Sequence, residues 1–238
     1  MPLVRTRPNL ALYLAGMLIL ALAAYGPIAQ LVNYHAFADQ RVLYGLPHAG
    51  DVLSNLAFLA AAVYGARRML GQRPVNPAQA VFVAALALTA AGSAFYHLAP
   101  DNARLLWDRL PIALACAALL AGALADASPR LKLALPILVA FGISSVLWWC
   151  VTGDLRPYLL IQGAPLLLIP ALQWQTGAPV ARRTAFVIAI VLYVLAKMFE
   201  LADGQVMDAL ALISGHTIKH LLAAGAAVVL VRQFGEPV

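Results

Sequence analysis

Charge is sparse in this 238-residue chain, and its apolar residues gather in long stretches. A helix that crosses a bilayer needs roughly 20 apolar residues in a row. Eight stretches of about that length lie at about 9–31, 51–69, 79–98, 105–125, 131–151, 157–174, 184–201 and 207–231. They are rich in Ala and Leu and do not alternate polar with apolar residues, as barrel strands would. Every backbone polar group inside lipid must be satisfied by the protein itself, so these runs are helices. Only 11% of the residues are charged, against roughly a quarter in soluble domains, which is too few to cover a water-facing surface. The fold class is therefore all-α, a polytopic membrane helical bundle.

A net charge of +6 would raise nucleic acid in a soluble protein. Here the basic residues fall in alternate short loops: Arg5 and Arg7; Arg67, Arg68 and Arg73; Arg130 and Lys132; Arg182 and Arg183; and Arg232. The intervening loops carry only Arg41, Arg104 and Arg156. This is the positive-inside bias of a membrane protein, not a nucleic-acid stripe, and it puts both termini in the cytoplasm. Cys116 and Cys150 lie in apolar runs and form no disulfide framework. Arg5, Arg7 and the small-residue triplet Ala21-Leu22-Ala23 also resemble a signal peptide. The apolar run continues past Ala24 to Val32, so the expectation is an uncleaved span. Sparse cysteine and short loops favour a bacterial inner membrane.

An ionisable residue inside a span is costly and points to function. On the topology above, His97 closes the third span, Asp108 opens the fourth, and His216 and His220 lie a few turns into the eighth. All four then fall in the outer half of the membrane. His216 and His220 are four apart, share one helix face and suit a common ion. His97 adds a third ligand from another helix. Three protein ligands leave zinc an open position for water, whose pKa it lowers to about 7. Ser93, four residues before His97, reaches the same side, and Asp108 suits a general base and acid. Singly these signals are weak: an HxxxH pair is common in helices, His97 and Asp108 suit an interface, and serine is frequent where helices pack.

Together the residues resemble the alkaline ceramidase family, within the CREST superfamily of membrane hydrolases. The matching motifs are Ser93-x-x-x-His97, Asp108-x-Leu110-Pro111 and His216-x-x-x-His220, with Ser54-Asn55 early in the first core span. The resemblance implies an extra N-terminal transmembrane helix over 1–32 and a seven-transmembrane hydrolase domain over 33–238. It implies zinc held by His97, His216 and His220, water activation by Asp108, and support from Ser93 at the oxyanion. The implied activity is hydrolysis of the amide of ceramide, or a related N-acyl lipid, to sphingoid base and fatty acid. The alternatives are a non-catalytic receptor of the progestin/adipoQ type and a haem-binding membrane protein.

One region departs from the family. Its animal ceramidases carry an acidic, calcium-binding segment before the core, where this chain has only Asp39 and Asp51. Calcium prefers six to eight oxygen ligands, so no calcium is expected. Asp51 reads as a helix cap and Asp39 as solvated, with His35 and His48 as loop histidines. Lys197 and Glu200, three apart, read as an ion pair. Lys219 is expected to point to another face than the histidines, and Trp148 and Trp149 to belong to an interfacial belt.

Overall fold

The computed structural model describes residues 9–131 and 133–234, so Arg5, Arg7 and Lys132 of the loop-charge pattern lie outside the described residues. Ten α-helices run through them: α1 (Leu10–Tyr25), α2 (Ala49–Leu53), α3 (Leu56–Met69), α4 (Pro77–Leu98), α5 (Asn102–Ala127), α6 (Ala134–Thr152), α7 (Arg156–Thr176), α8 (Val180–Leu201), α9 (Asp203–Leu210) and α10 (Gly215–Val231). A short antiparallel ribbon, β1 (Val42–Leu43) with β2 (Leu46–Pro47), interrupts the long loop before α2. With 77% of the structure helical, the all-α reading holds.

Helix ends follow local chemistry. The Asn76 side chain accepts from the N–H groups of Ala78 and Gln79 and starts α4, with Pro77 in its first turn. Asp101 caps α5 through the Arg104 N–H, and Ser214 caps α10 through that of Thr217. The left-handed glycines Gly153 and Gly177 end α6 and α7.

Among the described residues, five helices are long and apolar enough to cross a membrane, counting α2 and α3 as one; α9 with α10 makes a sixth if that bent pair is one span. Their outward side chains are apolar, among them Leu59, Leu88, Val151 and Val187, and the protein is membrane-embedded. Three expected spans differ. The first apolar run is helical only to Tyr25. The last is broken: α9 and α10 meet at 107°. Expected span 157–174 corresponds to α7, which holds Pro165 and Pro170 and is not among the five.

The core forms where α4 lies along α5 and where α10 lies against α8 and α3. Small residues set these distances. A Cβ on Gly92 would sit 2.0 Å from the Trp107 carbonyl oxygen, so the α4 and α5 backbones touch there. A Cβ on Gly215 would sit 2.1 Å from the Phe199 carbonyl oxygen, which pins the start of α10 to the end of α8. Both contacts lie at the end of the bundle that carries the histidines.

Candidate metal centre and its cavity

His97 lies in the last turn of α4, while His216 and His220 lie in the first two turns of α10. His216 is thus not a few turns into a span: the break after α9 puts it at a helix start. The structure brings the three rings together. One ring nitrogen of each falls within 4.8 Å of the others. The centroids are 4.7 Å apart for His97–His216, 5.0 Å for His97–His220 and 4.7 Å for His216–His220. All three are at most 5% exposed. Phe37, from the loop after α1, covers His97 and His216 at 4.6 and 4.5 Å. Three imidazoles in mutual contact leave no slot for a porphyrin, but they suit one small ion.

The surrounding hydrogen bonds orient the rings. His220 Nδ1 lies 2.8 Å from Ser54 Oγ, and that hydroxyl donates to the Asp51 carbonyl at 3.0 Å. Ser54 therefore accepts from His220 Nδ1–H and leaves Nε2 free to ligate, the usual outer support of a metal-bound histidine. Asp51 Oδ1 accepts from Ser214 Oγ and Thr217 Oγ1 at 2.7 and 2.8 Å. Asp203 accepts from the backbone N–H groups of His216 and Ala38. His97 Nδ1 is buried without a hydrogen-bond partner, an orphan that ligation through Nδ1 would satisfy. An all-nitrogen, three-imidazole set with one ring locked in tautomer fits zinc.

Asp108, in the second turn of α5, is buried, and it lines the same cavity wall as Ser93 of α4. The Gly92–Trp107 contact is what brings the two helices close. Ser93, Asp108 and His220 line a cavity of about 250 Å³ that continues between Leu86, Phe186 and Leu230. His97 and His216 stand behind this wall. The centre therefore meets the cavity through His220.

No family model, curated protein or solved structure matches this chain. Its chemistry must be read from its own side chains, and several of these were not expected at the centre. Lys219 does not turn away. Its ammonium lies 2.6 Å from Glu200 Oε1 and 3.3 Å from His216 Nε2, and it lines the cavity. The three-residue step from His216 to Lys219 was a signal for that neighbour. Lys197 pairs with Glu200 as expected. Trp148 is half exposed, but Trp149 is buried and stacks under the Arg109 guanidinium at 4.0 Å, so only Trp148 suits an interfacial belt.

The loop before α2 also differs from expectation. Asp39 is fully buried, bridged by Arg41 Nε at 2.7 Å and by the Gly50 N–H at 2.8 Å. Burial alone would raise its pKa, but these donors outweigh it and hold the carboxyl below the usual range. His35 bonds Tyr96 and Asn102, and His48 bonds the Asp39 carbonyl. Asp51 is engaged through Oδ1 alone, and its Oδ2 is buried without a hydrogen-bond partner; two carboxylates still fall short of the six to eight oxygens that calcium prefers.

Proposed function

We propose that this protein is a zinc-dependent intramembrane hydrolase of lipid amides, similar to alkaline ceramidases, acting on ceramide or a related N-acyl lipid. One observation carries the reading. Three buried imidazoles around one point adjoin Ser93 and Asp108, which with His220 line one wall of a cavity whose far walls are apolar and whose near end also carries Lys197, Glu200 and Lys219. His97, His216 and His220 would hold the ion. Zinc bound there supplies a Lewis acid and water of lowered pKa.

The chain's own residues do the rest. Asp108 takes a proton from the attacking water and returns it to the leaving nitrogen. In the resting site the Ser93 hydroxyl would give its single proton to the Asp108 carboxylate beside it. Once Asp108 is protonated that pull weakens, and the hydroxyl is free to turn to the substrate oxygen as its negative charge develops. His220 keeps its orientation through Ser54. The apolar walls take the acyl chain and exclude water. The loop-charge pattern supports a site in the outer half of the bilayer, with both termini cytoplasmic.

The test is hydrolysis of an N-acyl lipid panel, with and without chelator, alongside elemental analysis. We expect bound zinc and chelator-sensitive release of fatty acid. Asp108→Asn should keep the metal and lose roughly 10²- to 10⁴-fold in turnover. Active protein without zinc would overturn the mechanism. An Asp108→Asn variant with all function intact would favour the non-catalytic receptor.

A further inference from the structure

The polar end of the cavity holds more positive than negative charge. Lys219 and Lys197 line it and share the single carboxylate of Glu200. Asp108 is the other acid on that wall. Behind Tyr34 and Tyr158, two further lining residues, stands Arg109, 3% exposed. Its guanidinium carbon lies 5.1 and 5.3 Å over those rings. Its Nε and Nη1 are buried without hydrogen-bond partners. Two lysines, Lys197 being half exposed, and two carboxylates thus line the cavity, while Arg109, stacked on Trp149, is a third cation behind the lining with no acid of its own, and a divalent ion on the histidines would add to the excess. Unbalanced charge in a low-dielectric interior is costly. A neutral lipid amide would leave the imbalance standing, whereas an occupant bearing an acid would relieve it.

We infer that the preferred substrates are N-acyl lipids whose amine half carries an acidic group, the N-acyl amino acid class, and that Lys219 and Lys197 receive the carboxylate. This rests on the amidase reading above. Lys219 is placed for the role. Its ammonium has three N–H donors. One meets Glu200; another faces His216 Nε2, a bond that ligation by that nitrogen would end. The ammonium would then be left to Glu200 and the cavity, beside Ser93, Asp108 and His220. Glu200, held between the lysines, limits the attraction. In the reaction the acyl C–N bond breaks. Water supplies hydroxyl to the acyl carbon and a proton to the nitrogen, giving a fatty acid and an amino acid.

The experiment compares N-palmitoylglycine with N-palmitoylethanolamine on the full-length, zinc-loaded protein. The two share one acyl chain and differ in carboxylate against hydroxymethyl. We expect kcat/KM to favour the glycine conjugate by about tenfold or more. Lys197→Gln should shrink that ratio and Glu200→Gln should enlarge it. Opposite movements of this kind are not what loss of packing produces. Lys219→Gln should abolish the preference, with zinc content measured beside it because Lys219 adjoins the ligands. Equal or faster cleavage of the ethanolamide would overturn the inference and leave the amidase intact. If neither amide is cleaved and ceramide is not cleaved either, the amidase reading fails. The charge preference is then decided by displacement of a bound fluorescent fatty acid, where palmitate should outcompete hexadecanol and equal competition would overturn it.

Discussion

A serine hydroxyl has one proton to give, and Ser54 gives its proton to the Asp51 carbonyl, so toward His220 it can only accept. Ser54→Ala removes that support. Loss of such an outer partner typically lowers metal affinity by about 10- to 100-fold, a change that chelator competition will read, with the helical signal in circular dichroism unchanged. The residues legible in the sequence were those whose meaning lies in local spacing. Ser93 and His97 share a helix face, as do His216 and His220, and periodicity alone says so. Asp51 and Lys219 were harder because their partners are far away in the chain. Asp51 is defined by Ser214 and Thr217, and Lys219 by Glu200 on a different helix. No local pattern reports such pairs, so Asp51 read as a helix cap and Lys219 as a bystander.

Between elements, the decisive distances are set where a side chain is missing. Gly92 lets α4 and α5 meet backbone to backbone, and that meeting carries Asp108 to Ser93. Gly92→Ala would force the helices apart. We expect a stability loss of about 1–3 kcal/mol, seen in detergent-phase thermal unfolding, and a larger fractional loss of turnover than of bound zinc, since no histidine is touched. The helices themselves were legible because hydropathy over some 20 residues is a strong signal. The break between α9 and α10 was not, because Leu210, Leu212 and Ile213 carry the apolar run straight through it. Its markers are small: Ser214 as a cap, and Gly215 pressed against Phe199 and Asp203. Read as one span, the segment buried His216 several turns deep. Read as two, it puts both histidines at a helix start, tied to Asp51 and Asp203.

For the molecule as a whole, one acid ties the start of the segment after α1 to the connection between α6 and α7. Asp154 accepts from the Ile28 N–H, from Trp148 Nε1 and from Arg156, whose Nη2 stands 2.8 Å away. The Arg156 guanidinium holds the Asp154 carboxyl well below the usual carboxylate range. A carboxyl whose pKa is lower folded than unfolded stabilises the fold above about pH 4, the unfolded value, and that contribution fades as pH falls toward the folded one. Asp39 acts in the same direction. The stability that Asp154 contributes should therefore be constant from neutrality down to about pH 5 and fall away below about pH 4, read as the difference in thermal stability between the parent and Asp154→Asn. Asp154→Asn should lower stability at pH 7 and make the acid decline shallower; an unchanged acid limb would reject this role. The topology that sequence alone supplied, helices with charged loops, located that latch in a connection but not its reach back to Ile28.

Every group assigned to the chemistry sits at one end of the bundle, and the turn between α3 and α4 belongs to the other. Around Gly71 there is open space, with nothing within 4 Å of where a side chain would project. That turn can host a compact folded insert, as exposed loop tips generally do. Such an insert should leave zinc content and turnover near those of the parent. It would also give a small, nearly featureless membrane particle the rigid landmark that image alignment in electron microscopy requires.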